Sequence, residues 1–62
     1  MKVREIIKLI ETDGWYRIKA KGGHRQYKHG VKRGRVTVPG QMGAELDKKT
    51  EKSILRQAGL ED

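Results

Sequence analysis

Val3, Ile6, Ile7 and Ile10 recur at i, i+3, i+4 and i+7, which is one stripe of an amphipathic helix. Lys2, Arg4, Glu5, Lys8 and Glu11 take its other side. Gly14 follows in the C′ position, where a left-handed backbone costs glycine little. A helix from Lys2 to about Asp13 is predicted. The period then changes to two. From Trp15 to Lys21, Tyr16, Ile18 and Ala20 are expected to point one way and Arg17, Lys19 and Lys21 the other, as in a half-buried strand. Trp15 is off this pattern. It is expected to pack as core against the end of the first helix rather than to serve as a platform for a base.

Gly22-Gly23 is a hairpin-turn signal, and a second strand is predicted from about His24 to His29. Tyr27 is its only large side chain suited to a core. With Tyr27 inward, Arg25 and His29 share its side, and His24, Gln26 and Lys28 point outward. His29 is then expected to be a structural or rim residue. Gly30 to Gly34 is a basic loop. Arg35 to Pro39 is the third predicted strand, with Val36 and Val38 inward and Arg35 and Thr37 outward. Pro39 ends it, having no N–H to give a ladder. Asp47 is placed to cap a second helix through its side-chain oxygen. That helix runs from about Lys48 to Ala58, with Thr50, Ile54, Leu55 and Ala58 on its inner side. Gly59 stops it, and Leu60 folds back as in a Schellman end.

The predicted order is α-β-β-β-α, an α+β fold. Short connections make the three-stranded sheet antiparallel. Both helices have stripes to bury, so both are expected on one face. The other face is expected to carry Arg17, Lys19, Lys21, His24, Gln26, Lys28, Arg35 and Thr37. That assignment depends on phase, since a slip of one residue exchanges the two faces of a strand.

Composition narrows the function. Sixty-two residues are expected to form a single domain over 1–62. Such a chain buries only about 60% of the surface it exposes when unfolded, which leaves no room for a deep cofactor pocket. The chain has no cysteine, so disulfides, Cys-zinc sites and a Cys nucleophile are excluded. No stretch reads as a signal peptide or a membrane span, and a cytoplasmic location without membrane association is expected. The net charge is +7, which favours a polyanionic partner. The charge is also segregated. Between Gly14 and Ala44 there are eight Lys or Arg and no Asp or Glu.

Both histidines lie in that basic run, in Lys21-Gly22-Gly23-His24-Arg25-Gln26-Tyr27-Lys28-His29. A lone imidazole works as general base or acid near neutral pH. RNA carries its own nucleophile, the 2′-OH, so an enzyme that deprotonates it needs no metal and no covalent intermediate. Attack on the neighbouring phosphorus leaves a 2′,3′-cyclic phosphate and a free 5′-OH. Nearby cations hold the phosphate and offset its growing charge. His24 is the candidate catalytic residue, and Arg17, Lys19, Lys21, Arg25, Lys28 and Arg35 are the candidate RNA-binding residues. The acid is open among His29, Tyr27 and Lys28. A metal site is not expected, because two histidines without carboxylates make a poor divalent site, and no cofactor is expected. Ser53, the only serine, has no obvious His partner.

Nearly the whole chain resembles the HicA (YcfA-like) toxins of bacterial and archaeal toxin–antitoxin pairs. The resemblance lies in Gly14-Trp15, the run from Gly22 to His29, Arg35-Val36-Thr37-Val38-Pro39, and Ser53-Ile54-Leu55-Arg56-Gln57-Ala58-Gly59-Leu60. It implies a double-stranded-RNA-binding-domain-like α-β-β-β-α fold, in agreement with the order above, and an mRNA interferase, a ribonuclease that cuts messages and arrests growth. The family's functional histidine maps onto His24. A HicB-type antitoxin is the implied partner, masking that residue, and the free toxin is expected to be a monomer. Position 23 is Gly where many members have Ser, so that hydroxyl is missing. Position 30 is Gly where Pro is frequent, which is expected to loosen the loop after the second strand. Two other readings compete. One is a non-catalytic double-stranded-RNA-binding module using Lys48, Lys49 and Lys52 at the start of the last helix. The other is a small basic protein that coats DNA.

Overall fold

The computed structural model describes residues 1–18 and 24–61. The elements are α1 (Val3–Thr12), β1 (Trp15–Ile18), β2 (Arg25–His29), β3 (Val36–Val38) and α2 (Lys48–Gln57). The strands form one sheet in the order β1-β2-β3, antiparallel at both pairings. The expected α-β-β-β-α order and antiparallel sheet are therefore what the chain adopts. The Gly22-Gly23 turn, the inward Ala20 and the cations Lys19 and Lys21 lie outside the described residues.

The α1 stripe behaves as its spacing predicts: Val3, Ile6, Ile7 and Ile10 are all buried. Its first amides have no partner inside the helix and find one in the loop before α2. Val3 N–H donates to Ala44 O at 2.9 Å and Arg4 N–H to Met42 O at 3.1 Å. The Glu5 carboxylate accepts Lys2 N–H at 2.7 Å. In α2 Ile54 is buried, as is its C-cap Ala58, and Leu55 and Leu60 pack against the same core. The Schellman end forms, with Gly59 N–H on Arg56 O at 3.1 Å and Leu60 N–H on Leu55 O at 2.8 Å. Asp47 takes the N-cap position with an extended backbone, but no side-chain cap hydrogen bond of ordinary geometry closes. The Thr50 hydroxyl and the first-turn amides are still near enough to hold its carboxyl below the usual value.

Both helices bury their stripes against one face of the sheet, where Trp15, Tyr27, Val36 and Val38 complete a single cluster. The second and third strands are shorter than their alternation suggests. β3 lacks Arg35 and Pro39, and His24 precedes β2 instead of opening it.

The phase of β1 is the main correction. Tyr16 was expected inward, yet it is 53% exposed. Trp15 pairs with His29, Tyr16 with Lys28, Arg17 with Tyr27 and Ile18 with Gln26. Directly paired residues share a face, so Trp15 and Arg17 are on the helix side with buried Tyr27. Tyr16 and Ile18 are on the open side. The indole decides the matter, because an aromatic buries roughly 150–250 Å² and Trp15 is left only 2% exposed. Its N–H also donates to Ala58 O, 3.3 Å away at the end of α2, so it ties α2 to the sheet as well as lying in the core with α1. Arg17 remains exposed on an edge strand. A long side chain there reaches water while its stem lies along the apolar surface.

Candidate nucleic-acid interface

The two histidines stand at opposite ends of the β2 segment in opposite circumstances. His24 is exposed just before the strand, and among the described residues its side chain makes no hydrogen bond. His29, at the other end, is half-buried with both ring nitrogens in use. Its Nδ1 accepts Val31 N–H at 3.0 Å and Lys32 N–H at 3.1 Å, while Nε2 is 2.8 Å from Asp13 O. A nitrogen that accepts two amides carries no proton, so the proton is on Nε2 and is donated to Asp13 O. The ring also meets Trp15 edge-on, with centroids 5.2 Å apart. The structural role expected for His29 is the one its bonds show.

Those bonds also hold the loop after β2, at its Val31 and Lys32 amides, so Gly30 does not leave its start free. Lys32 extends the same node. Its ammonium donates to Asp13 Oδ2 at 2.6 Å and to Ala58 O at 3.0 Å. Asp13 and Ala58 are the C-caps of α1 and α2, so one cation sits at both helix C-termini, where the macrodipoles favour positive charge. The hydrogen bond from Lys32 holds the Asp13 carboxyl below its ordinary value. Gly14 is needed here for two reasons: its φ is +109°, and a Cβ would lie 2.8 Å from His29 Nε2. Sequence reasoning read only the first. The second would have required knowing that residues 14 and 29 meet.

The open face of the sheet carries Tyr16 and Ile18 from β1, Gln26 and Lys28 from β2, and Thr37 from β3. Arg35 reaches onto it, donating to Gln26 Oε1 at 3.1 Å. By strand parity His24 belongs to the same side. Of the cations expected to bind RNA, Lys28 and Arg35 thus share a side of the sheet with His24. Arg17 and Arg25 are on the helix side by register. Arg25 is further engaged through Nη1, which donates to Gly40 O at 2.7 Å. Both guanidiniums lie close enough to Tyr27 to offset part of the upward shift that burial gives its phenol. Tyr27 is 1% exposed, which withdraws it, with His29, from the three candidates for the acid. Lys28 is exposed.

A second cationic zone lies on α2, where Lys48, Lys49 and Lys52 are exposed in the first turns. A shallow groove along α1, lined by Met1, Glu5, Lys8, Leu9 and Thr12, contains neither histidine. Among the described residues, no three His, Asp or Glu side chains gather in one place, and no helix is long and apolar enough to cross a membrane.

Comparison with known proteins bears on the whole chain. No match was found among curated proteins. Among solved structures, one described as a toxin–antitoxin complex from Streptococcus pneumoniae is similar, with a TM-score of 0.78 and 34% identity. The similarity covers 97% of this chain and 98% of that one. The family model for the HicA toxin of bacterial toxin–antitoxin systems matches residues 3–60. With Gly14-Trp15 shaping the His29 node and His24 leading into the central strand, the chain belongs to the HicA toxin family.

Proposed function

We propose that this chain is a ribonuclease toxin in which His24 is the general base. The observation that carries this reading is the contrast between the two imidazoles. His29 has both nitrogens committed, and His24 is exposed without a partner among the described residues, on the side of the sheet that carries Lys28 and Arg35. His24 removes the proton from a 2′-OH. The 2′-oxygen then bonds to the adjacent phosphorus as the bond from phosphorus to the 5′-oxygen breaks. The products are a 2′,3′-cyclic phosphate and a 5′-OH, with the leaving oxygen taking a proton from a water molecule, which the proton held by His24 then restores. Cationic side chains around the phosphate favour the charge that builds on its oxygens. No step calls for a metal.

Membership of the HicA family and the toxin–antitoxin neighbour support messenger RNA as the target and a protein antitoxin as the partner. The antitoxin acts by covering His24. The test is cleavage of an end-labelled message by the protein and its His24→Ala variant, with EDTA present. Cutting by the parent alone, with cyclic-phosphate ends, is the expected result. Cutting by both, or only when a divalent ion is supplied, would sink the mechanism. The exposed Lys48, Lys49 and Lys52 favour a second reading, a duplex-RNA-binding module without catalysis. Under that reading neither protein cuts, and removing those lysines is what abolishes binding.

A further inference from the structure

Tyr16 is the aromatic that the phase of β1 turns away from the core. It is 53% exposed on the open face of the sheet, while Trp15 and Tyr27 are buried on the other side. Lys28 is directly across from it on β2. The next pair on this face is Ile18 with Gln26, and the Gln26 amide oxygen holds the Arg35 guanidinium at 3.1 Å. No strand of the sheet contains an Asp or Glu. An open aromatic ring flanked by cations on a surface without carboxylates is complementary to a polyanion that carries flat bases. A duplex does not offer those bases, because their faces are covered by stacked neighbours. A single strand does.

We infer that Tyr16 is a stacking platform for a base of single-stranded RNA, with Lys28 holding the adjoining phosphate. The inference rests on RNA being the ligand, as in the ribonuclease reading, and it specifies the form of that RNA. Lys28 lies four residues along β2 from His24, about 13 Å at roughly 3.3 Å per residue. The base on Tyr16 therefore belongs to a nucleotide flanking the cut and not to the one whose 2′-OH reacts. Stacking accepts any base, so Tyr16 sets affinity and strandedness and leaves sequence preference to other contacts.

Binding is measured in the His24→Ala protein, so that the RNA stays intact. Its affinity for a single-stranded oligoribonucleotide is compared with that for a blunt RNA duplex, before and after a second change at Tyr16. Tyr16→Ala is expected to weaken single-strand binding by roughly 5- to 150-fold, the span that base–aromatic stacking covers. Tyr16→Phe restores it, and duplex binding moves little. Val31→Ala, a change at an apolar residue that is 88% exposed in the loop after β2, has no effect. A 5-iodouridine oligonucleotide is expected to photo-crosslink at Tyr16. Because Tyr16 is not in the core, Tyr16→Ala melts with the parent, which separates lost contact from lost fold. Unchanged single-strand affinity, duplex binding as tight as single-strand binding, or crosslinks confined to α2 would each overturn the proposal. So would a Tyr16→Ala variant that binds RNA normally and is deficient only in capturing its protein antitoxin. Single-strand binding through Tyr16 by a parent that cuts nothing would remove the ribonuclease reading and leave this one standing.

Discussion

His24 and His29 share a segment of chain and a residue type, and the fold uses them in opposite ways. His29 is half-buried, and its ring bonds to three backbone groups from two parts of the chain. His24 is exposed and unbonded among the described residues. An imidazole that exchanges protons with a substrate must have a nitrogen free to do so. An imidazole that fixes a loop must not. What distinguishes the two is where the backbone passes. The helix α1 ends beside His29, so the Asp13 carbonyl and the Val31 and Lys32 amides converge on one ring. Among the described residues, no such convergence meets His24.

The largest expected effect is on chemistry. Replacing His24 with Ala should lower cleavage by about 10²–10⁴-fold, the usual range for a lost general base, while thermal unfolding and RNA binding stay near the parent's. Replacing His29 with Ala should do the reverse. It strands two amides and a carbonyl, and each unsatisfied group that is buried costs about 1–3 kcal/mol. A loss on the order of 2 kcal/mol lowers the melting temperature of a domain this size by roughly 8–16 °C. Below its melting point the His29→Ala protein should still cut. If it is inactive while folded, the two histidines are not divided as described.

Gly14→Ala sharpens the same contrast at somewhat smaller cost. A non-glycine residue at positive φ loses about 1–2 kcal/mol, and the added methyl must also displace the His29 ring, 2.8 Å away. Unfolding followed by Trp15 fluorescence should show a clear loss of stability, with cleavage per folded molecule retained. A variant as stable as the parent would mean that Gly14 and His29 do not meet as closely as the structure has them.

The helices and the order of elements were legible because their signals are local. An i, i+3, i+4, i+7 stripe, a C′ glycine and Gly59-Leu60 each act within a turn or two of chain. The phase of β1 was not. Alternation sets Tyr16 and Ile18 against Arg17, and hydrophobicity alone puts the first two inside. What overrides it is the burial of Trp15, beside His29 of β2 and Ala58 at the C-cap of α2, a contact across 43 positions of sequence. The candidate site divides along the same line. His24, Lys28 and Arg35 could be grouped from strand parity. The engagement of Arg25 with Gly40 depends on a loop whose course the sequence does not show, and so does the ring of bonds around His29. Arg17 moved to the other face with the rest of β1.

The smallest effect concerns Lys32, the cation that joins the His29 node to both helix ends. The Asp13 carboxyl is held below its ordinary value of 3.8, chiefly by the hydrogen bond from Lys32. A carboxyl depressed by folding contributes stability above its unfolded pKa and loses it as pH falls through the folded one. The contribution of Asp13 is thus complete at neutral pH and is lost on acidification below about pH 3.8. Lys32→Met removes the main cause of the depression. At neutral pH it should lower the melting temperature less than Gly14→Ala does, since the pair is partly exposed and screened. Between neutral and acid pH, the gap between parent and variant should narrow. The comparison is best made at low salt, where the ion pair is least screened. A gap that stays constant from pH 7 to pH 3 would show that Lys32 acts through packing and its bond to the Ala58 carbonyl, and not through its charge on Asp13.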